Sequence, residues 1–248
     1  MSKQRKIVAL LLAYNAASTL EKFYKMLPTK LFDEIILFDD ASSDNTVKIS
    51  NKLGILTIRN KNNLGYGGNL KKALNFCLLG GADIIVDIHP DGEYSPASIQ
   101  RAIRQIESGA ELVTGNRFFS YGYIYKRSGM FKWKILPIIA LNFITKFLLD
   151  TKINDLHQGF RVYTKTLLQK INLAANSNDY IFSFEIIAQA QAAGCNITEV
   201  PIETTYTGKK RGASFMSSLS YILQTFKIVF MFLLNRIGIQ SKIFKAQG

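Results

Sequence analysis

Cysteine is scarce in this chain. Cys77 and Cys195 are the only two in 248 residues, far apart and without Cys-x-x-Cys spacing. That pattern excludes a disulfide framework, gives a zinc site no support, and reads as two reduced thiols in a cytosolic setting. Acidic residues are also few, 18 against 31 Lys and Arg, for a formal net charge of +13. Such a surface attracts anions, whether nucleic acid, anionic lipid headgroups or phosphorylated substrates. The apolar run near the start, Ile7 to Ala13, is only seven residues long with no small-residue cleavage site after it. It reads as a buried parallel strand rather than a signal peptide. Neither an internal repeat nor a long Pro/Gly/Ser linker interrupts the chain. What is present, 48% hydrophobic and 20% charged residues, suffices for a packed core and excludes disorder over most of the length.

Short apolar runs alternate with helical patterns through the first half. Strands are expected at Ile7–Leu12, Glu34–Phe38, Ile55–Arg59, Ala82–Ile88 and Glu111–Thr114. Helices are expected at Ser18–Leu27, Asn45–Leu53, Leu70–Leu79 and Pro96–Ser108. The alternation predicts an α/β fold with a mostly parallel sheet covered on both faces. Ligands of such sheets bind beyond the carboxyl ends of the strands, and the unusual polar clusters fall there. Further helices are expected at Phe182–Ala193 and from about Ser217 to Ile237, with a strand over Ile197–Tyr206 broken by Pro201.

Ala13-Tyr14-Asn15 ends the first strand and Asp39-Asp40-Ala41-Ser42-Ser43-Asp44 the second. Asp44 or Ser43 reads as the cap of the next helix, which leaves the doubled Asp39-Asp40 to be explained by hydrogen bonding to a ribose or base. Asn63-Leu64-Gly65-Tyr66-Gly67-Gly68 precedes a helix, whose N-terminus favours phosphate; it is not a Walker loop, since no Gly-Lys-Ser/Thr follows. After the fourth strand, His89, Asp91 and Glu93 occupy alternate positions. In extended backbone they would share one face and could converge on one cation, Mg²⁺ or Mn²⁺. Arg117, Arg127, Arg161, Lys209, Lys210 and Arg211 could supply anion-binding groups if they converge.

These strings, in this order, resemble the family-2 glycosyltransferases of the GT-A fold, above all the dolichyl- and polyprenyl-phosphate sugar synthases. The resemblance covers about residues 5–215. Ala13-Tyr14-Asn15 and Asp39-Asp40-Ala41-Ser42-Ser43-Asp44 are similar to the family's nucleoside-holding strings, and Asn63 to Gly68 to its Asn-x-Gly-x-Gly turn. His89-Pro90-Asp91-Gly92-Glu93 stands where the family has its Asp-x-Asp-x-Gln metal site. Gly115-Asn116-Arg117-Phe118, Asp155 with Gly159-Phe160-Arg161, Glu199-Val200-Pro201, and Arg211-Gly212-Ala213-Ser214 resemble later motifs. The departures are Leu12 and Ala16 for Pro and Glu, His89 for Asp, Glu93 for Gln and Gln158 for Ser. An imidazole at position 89 shifts preference from Mg²⁺ toward Mn²⁺ or leaves Asp91 as the principal metal contact.

The resemblance implies a metal-dependent, inverting transferase that moves a sugar from a UDP- or GDP-sugar to a lipid phosphate. Implied nucleotide contacts are Ala13, Tyr14, Asn15, Asp39, Asp40, Asn63, Gly67, Gly68 and Lys71. Implied metal ligands are His89, Asp91 and Glu93. Catalytic roles fall to Asp91, Arg117, Asp155 and Arg161, and acceptor-phosphate contacts to Arg127, Arg211 and Ser214. An ionised phosphate acceptor needs no strong base, whereas a sugar hydroxyl would need a carboxylate, for which Asp155 is the candidate.

The apolar second half suits a lipid acceptor. Leu219–Leu234 spans about 16 residues and contains Gln224 and Lys227, short of the roughly 20 that a crossing helix needs. An interfacial helix is the expectation, with a second over Phe131–Leu149, where Trp133 stands between two lysines. The expected division is a GT-A catalytic domain over 1–215, with residues 131–149 as a membrane-facing element, and a membrane-associating helix and tail over 216–248. That places the protein peripherally on the cytoplasmic side of a membrane, with the anionic leaflet as a partner of the basic charge. A homo-oligomer or a membrane-protein partner stays open. Three other readings compete. A family-2 enzyme acting on a saccharide hydroxyl shares the donor site. A nucleic-acid binder would need aromatics interleaved with Lys and Arg on an exposed platform, and here they cluster in apolar helices. A nucleotidyltransferase would need a Gly-x-Gly-Thr-Arg loop near residues 13–20, which is missing.

Overall fold

The computed structural model describes residues 5–206 and 215–245. Seven strands form one mixed sheet in the order β3-β2-β1-β4-β6-β5-β7. They are β1 (Ile7–Ala13), β2 (Glu34–Asp39), β3 (Leu56–Arg59), β4 (Ile84–Asp87), β5 (Leu112–Asn116), β6 (Arg161–Thr164) and β7 (Ile197–Pro201). Pairing is parallel except where β6 runs antiparallel between β4 and β5.

The continuous apolar run of β1 follows from burial on both faces. Val8, Leu10 and Leu12 point into one core with Phe38, Leu74 and Phe184. Leu11 and Ala13, on the other pleat, join Leu37, Val86 and Val113 in a second core. Helices α1 (Leu20–Met26), α2 (Thr46–Lys52) and α4 (Ile99–Glu107) cover the second core. In α4 the buried stripe Ile99, Ala102, Ile103, Ile106 has helical spacing. Helices α3 (Tyr66–Leu79), α7 (Lys165–Lys170), α8 (Phe182–Ala192) and α9 (Phe215–Arg236) cover the first core. Between β5 and β6 lie α5 (Tyr121–Lys126) and α6 (Lys132–Leu149).

The expected strands of the first half are all present. The structure adds β6, α5 and α7, in segments where no element was predicted. β6 was hidden by its own composition, since its first residue is an arginine whose side chain is fully buried. Helix α3 starts at Tyr66 rather than Leu70, so Gly67 and Gly68 lie inside the helix. Helix α9 lies close to the expected helix from about Ser217 to Ile237 and, at 22 residues, runs past the apolar stretch Leu219–Leu234 at both ends. Its segment Met216–Arg236 is long and apolar enough to cross a membrane by length and composition. Its Ile228, Val229 and Phe232 nevertheless belong to the first core, so one side of α9 is packed against the rest of the fold.

Candidate active site

The C-terminal edges of β1 and β2 are stitched together by side chains. The Ser43 amide donates to Asn15 Oδ1 at 2.9 Å and the Asn15 amide to Ser42 Oγ at 2.9 Å. Asn15 stands at a positive φ of 53°, a conformation that asparagine tolerates better than most residues. Tyr14 is exposed at this edge. Asp44 accepts the Thr46 amide at the start of α2, so it is the residue that satisfies the helix entry. The paired aspartates divide their work. Asp40 Oδ1 accepts from Asn60 Nδ2 at 2.9 Å and from the Leu64 amide at 2.8 Å, clamping the 60–64 loop. Asn63 joins the clamp through its amide, 3.3 Å from the Asp40 carbonyl. Asp39 accepts the Ser42 amide on Oδ2, while its Oδ1 is buried with no hydrogen-bond partner. A buried carboxylate oxygen left unpaired is costly, and a ligand N–H at this edge would relieve the cost.

The expected convergence of His89, Asp91 and Glu93 does not occur. Among the described residues no group of three or more His, Cys, Asp or Glu could hold a metal. The reason is local: Pro90 and Asp91 form a turn and Gly92 takes φ 81°, so the backbone is not extended and alternate residues lose their common face. His89 turns inward, its Nε2 3.6 Å from Asp87 Oδ1. Burial opposes a charged imidazole there, but Asp87 outweighs it and raises the His89 pKa above its usual value. Glu93 is half-buried beside Tyr94 and Tyr206, and burial together with the Asp91 charge holds its carboxyl above the usual range. Asp91 alone is exposed at the end of β4, with Oδ1 accepting the Glu93 amide at 2.9 Å. One exposed carboxylate suits a Mg²⁺ or Mn²⁺ ion that is shared with substrate phosphates, not one caged by protein alone.

Three residues assigned to catalysis serve the interior instead. Asp155 is fully buried and holds Arg117 bidentately: Nε to Oδ2 at 2.8 Å and Nη2 to Oδ1 at 2.8 Å. The Arg117 amide adds a third bond, and its Nη1 reaches the Tyr206 hydroxyl at 3.1 Å. Burial pushes the Asp155 pKa up, but the charge and hydrogen bonds of Arg117 outweigh it and hold the carboxyl below its usual range. Neither residue is free to act on a substrate, and Asp155 cannot serve as the base. Arg161 is also fully buried, with Nη1 on the Gln158 carbonyl and Nη2 on that of Ser183 at 3.1 Å. His157 lies in the same interior, where burial lowers its pKa to about 3.

The glycine turn is also reassigned. The amides of Gly67 and Gly68 both donate to the Asn178 carbonyl, at 2.7 and 3.3 Å. A Cβ on Gly67 would stand 2.5 Å from the Ser177 carbonyl oxygen and 2.9 Å from Phe182 Cβ. The glycines therefore admit the chain before α8, not a phosphate, and Lys71 fastens the same segment through the Asn176 carbonyl at 2.9 Å. That segment carries three exposed residues absent from the sequence-based candidates, Asn178, Asp179 and Tyr180. The signal for them was a polar Ser177-Asn178-Asp179 dip directly before an apolar helix.

Arg127 is exposed just after α5; Arg211 and Ser214, with Lys209 and Lys210, lie outside the described residues. Beyond α5 the surface turns apolar. Helix α9 exposes Met216, Leu219, Leu223, Phe226, Phe230 and Leu233 in three- and four-residue steps, with Ile237 just beyond its end, and α6 exposes Trp133, Leu136, Phe143 and Phe147. Lys132, Lys227 and Arg236 stand among them.

The glycosyl transferase family 2 model matches residues 9–171. A polyprenol monophosphomannose synthase of Mycolicibacterium smegmatis is 27% identical over 86% of this chain and 79% of its own length. A UDP-N-acetylglucosamine–dolichyl-phosphate N-acetylglucosaminyltransferase of Methanococcus voltae is 29% identical over 94% of this chain and 97% of its own. In three dimensions the fold matches glucosyl-3-phosphoglycerate synthase of Mycobacterium tuberculosis, solved with Mn²⁺, UDP and phosphoglyceric acid. The TM-score is 0.68 at 17% identity, covering 96% of this chain and 80% of that one.

Proposed function

The chain belongs to glycosyl transferase family 2, and from that premise we propose that it moves a sugar from a nucleotide diphosphate sugar to a polyprenyl phosphate. The observation that carries the reading is the placement of the unpartnered Asp39 Oδ1 at the end of β2 and of the exposed Asp91 carboxylate in the turn after β4, the two strands that flank β1. Asp39 Oδ1 would accept a ring N–H of the base, which both uracil and guanine offer. Asp91 would hold a divalent cation against the diphosphate. Such a cation offsets the charge that builds on the leaving group. The acceptor phosphate, ionised at neutral pH, attacks the anomeric carbon directly, with inversion, and no protein group must take a proton from it. The two relatives named for polyprenyl and dolichyl phosphate acceptors support this choice. The test is an assay of UDP- and GDP-sugars with Mg²⁺ or Mn²⁺, offering polyprenyl phosphate beside free oligosaccharides. Transfer to the oligosaccharide alone overturns the lipid acceptor.

A saccharide hydroxyl as acceptor would require a base, and with Asp155 locked the exposed Asp179, next to Tyr180, is the candidate we take for it. Asp179→Asn should therefore change turnover with polyprenyl phosphate by less than about twofold. A loss on the order of 10²-fold, the scale of a missing general base, would favour the hydroxyl reading instead.

The apolar face of α6 and α9 would lie on the cytoplasmic surface of the membrane, its lysines toward anionic headgroups. Because one side of α9 is core, truncation is a poor test of that contact. Leu223→Asp with Phe230→Asp alters only exposed positions. The pair should weaken binding to phosphatidylglycerol vesicles by more than about tenfold while leaving the melting temperature near that of the parent. Unchanged vesicle binding would count against the membrane-facing role.

A further inference from the structure

We infer that Tyr180 is the platform on which the donor's sugar ring stacks, a specificity-determining contact of the transfer reaction. The inference rests on the glycosyl-transfer reading above. Tyr180 is 73% exposed, yet it is held in one orientation. Its ring stacks on Tyr66 with centroids 5.4 Å apart and planes 17° from parallel. Tyr66 is fixed in turn by its hydroxyl, 2.9 Å from Ser183 Oγ, and by an edge contact with His89 at 5.5 Å. The backbone on either side is pinned as well. Asn178 O takes the two glycine amides of α3, Lys71 holds Asn176 O, and the Ser177 amide donates to Glu185 Oε2 at 2.8 Å.

An aromatic ring left open to water but stacked on an anchored neighbour has already lost part of the freedom that a ligand would otherwise remove on binding. Its open face is flat and apolar, with a hydroxyl at the rim. A pyranose matches it, because one face of the sugar ring is lined by C–H groups while its hydroxyls point outward. Position selects the sugar over the base. The ring ladder runs from Tyr180 through Tyr66 to His89, two residues before the carboxylate assigned to the diphosphate. The base, by contrast, is assigned to Asp39 on β2, separated from β4 by β1. Along a nucleotide sugar the order is base, ribose, diphosphate, sugar, so a platform joined to the Asp91 turn through His89 is assigned to the sugar, and the sugar-free nucleotides in the test below separate it from the base.

The test is calorimetric titration of the full chain and of its Tyr180→Ala, Tyr180→Leu and Tyr180→Phe variants, in Mn²⁺. Titrants are UDP-glucose, UDP-N-acetylglucosamine and GDP-mannose, each beside its free nucleoside diphosphate. For the nucleotide sugar that the parent binds, Tyr180→Ala and Tyr180→Leu should weaken affinity about tenfold, the scale of one aromatic stacking contact. Tyr180→Phe should stay within about twofold of the parent, and UDP or GDP should bind all four proteins alike. Equal losses for the sugar-bearing and the sugar-free nucleotide would overturn the assignment, as would no loss for either. Failure of the parent to bind any nucleotide or nucleotide sugar would sink the transfer reading itself, a distinct outcome.

Discussion

Asp91→Ala is expected to lower turnover on the order of a thousandfold while leaving the fold intact. The side chain is exposed, and its one bond in the structure is to the Glu93 amide within the same turn. Its loss therefore removes little from stability. The cost falls on the leaving group. With His89 turned to Asp87 and Glu93 held among tyrosines, no group of three or more His, Cys, Asp or Glu among the described residues is placed to inherit the role. Removing one preorganised electrostatic stabiliser typically costs 10²- to 10³-fold in rate, and the loss of a cation's principal protein contact belongs at the upper end. Binding of Mn²⁺ in the presence of UDP, followed by paramagnetic resonance, should weaken in parallel. His89→Ala makes the useful contrast. If it matched Asp91→Ala in Mn²⁺ affinity, the imidazole would be a ligand after all and the inward orientation would not persist in the complex. Full activity in excess EDTA would remove the metal from the scheme altogether.

The frame of the protein was legible in the sequence because its strands are uniform. A strand buried on both faces is apolar along its run, and Ile7–Ala13 and the Ile-Ile-Val stretch that opens Ile84–Asp87 announce themselves in that way. The strand-end clusters were legible for the same reason, as polar breaks after such runs. What was hidden depends on partners distant in sequence. Gly67 and Gly68 look like a phosphate turn until Ser177 and Asn178 are seen filling the space where their side chains would stand. Arg117 and Arg161 look like solvent-facing anion binders. Only the pairing of β4, β5 and β6 brings them inside. The alternate spacing of His89, Asp91 and Glu93 held a true geometric premise about extended backbone. It failed on the positive φ of Gly92, a conformation that glycine's missing side chain permits.

Asp155→Asn is expected to destabilise the protein by about 3–5 kcal/mol, the cost of stranding one partner of a buried ion pair. In a chain of this size that corresponds to a fall in melting temperature of roughly 10 °C. The amide can keep part of the hydrogen bonding but leaves the Arg117 guanidinium charged and uncompensated, with only the Tyr206 hydroxyl and the His157 carbonyl against it. Replacing both partners by apolar groups, as Arg117→Met with Asp155→Leu, should recover more than half of the loss, because no charge is then buried. The pH dependence has a definite sign. Asp155 has a folded pKa below its ordinary value, so its stabilising contribution is complete above the unfolded carboxylate pKa. It is lost as pH falls through the lower folded value. The gap in melting temperature between parent and Asp155→Asn should thus be widest near neutrality and close only in acid below the ordinary carboxylate range. A variant that melted with the parent at pH 7 yet lost turnover would overturn this account and return Asp155 to the chemistry. The structure argues otherwise, since a carboxylate that binds one guanidinium through both oxygens has its proton affinity already spent on the fold.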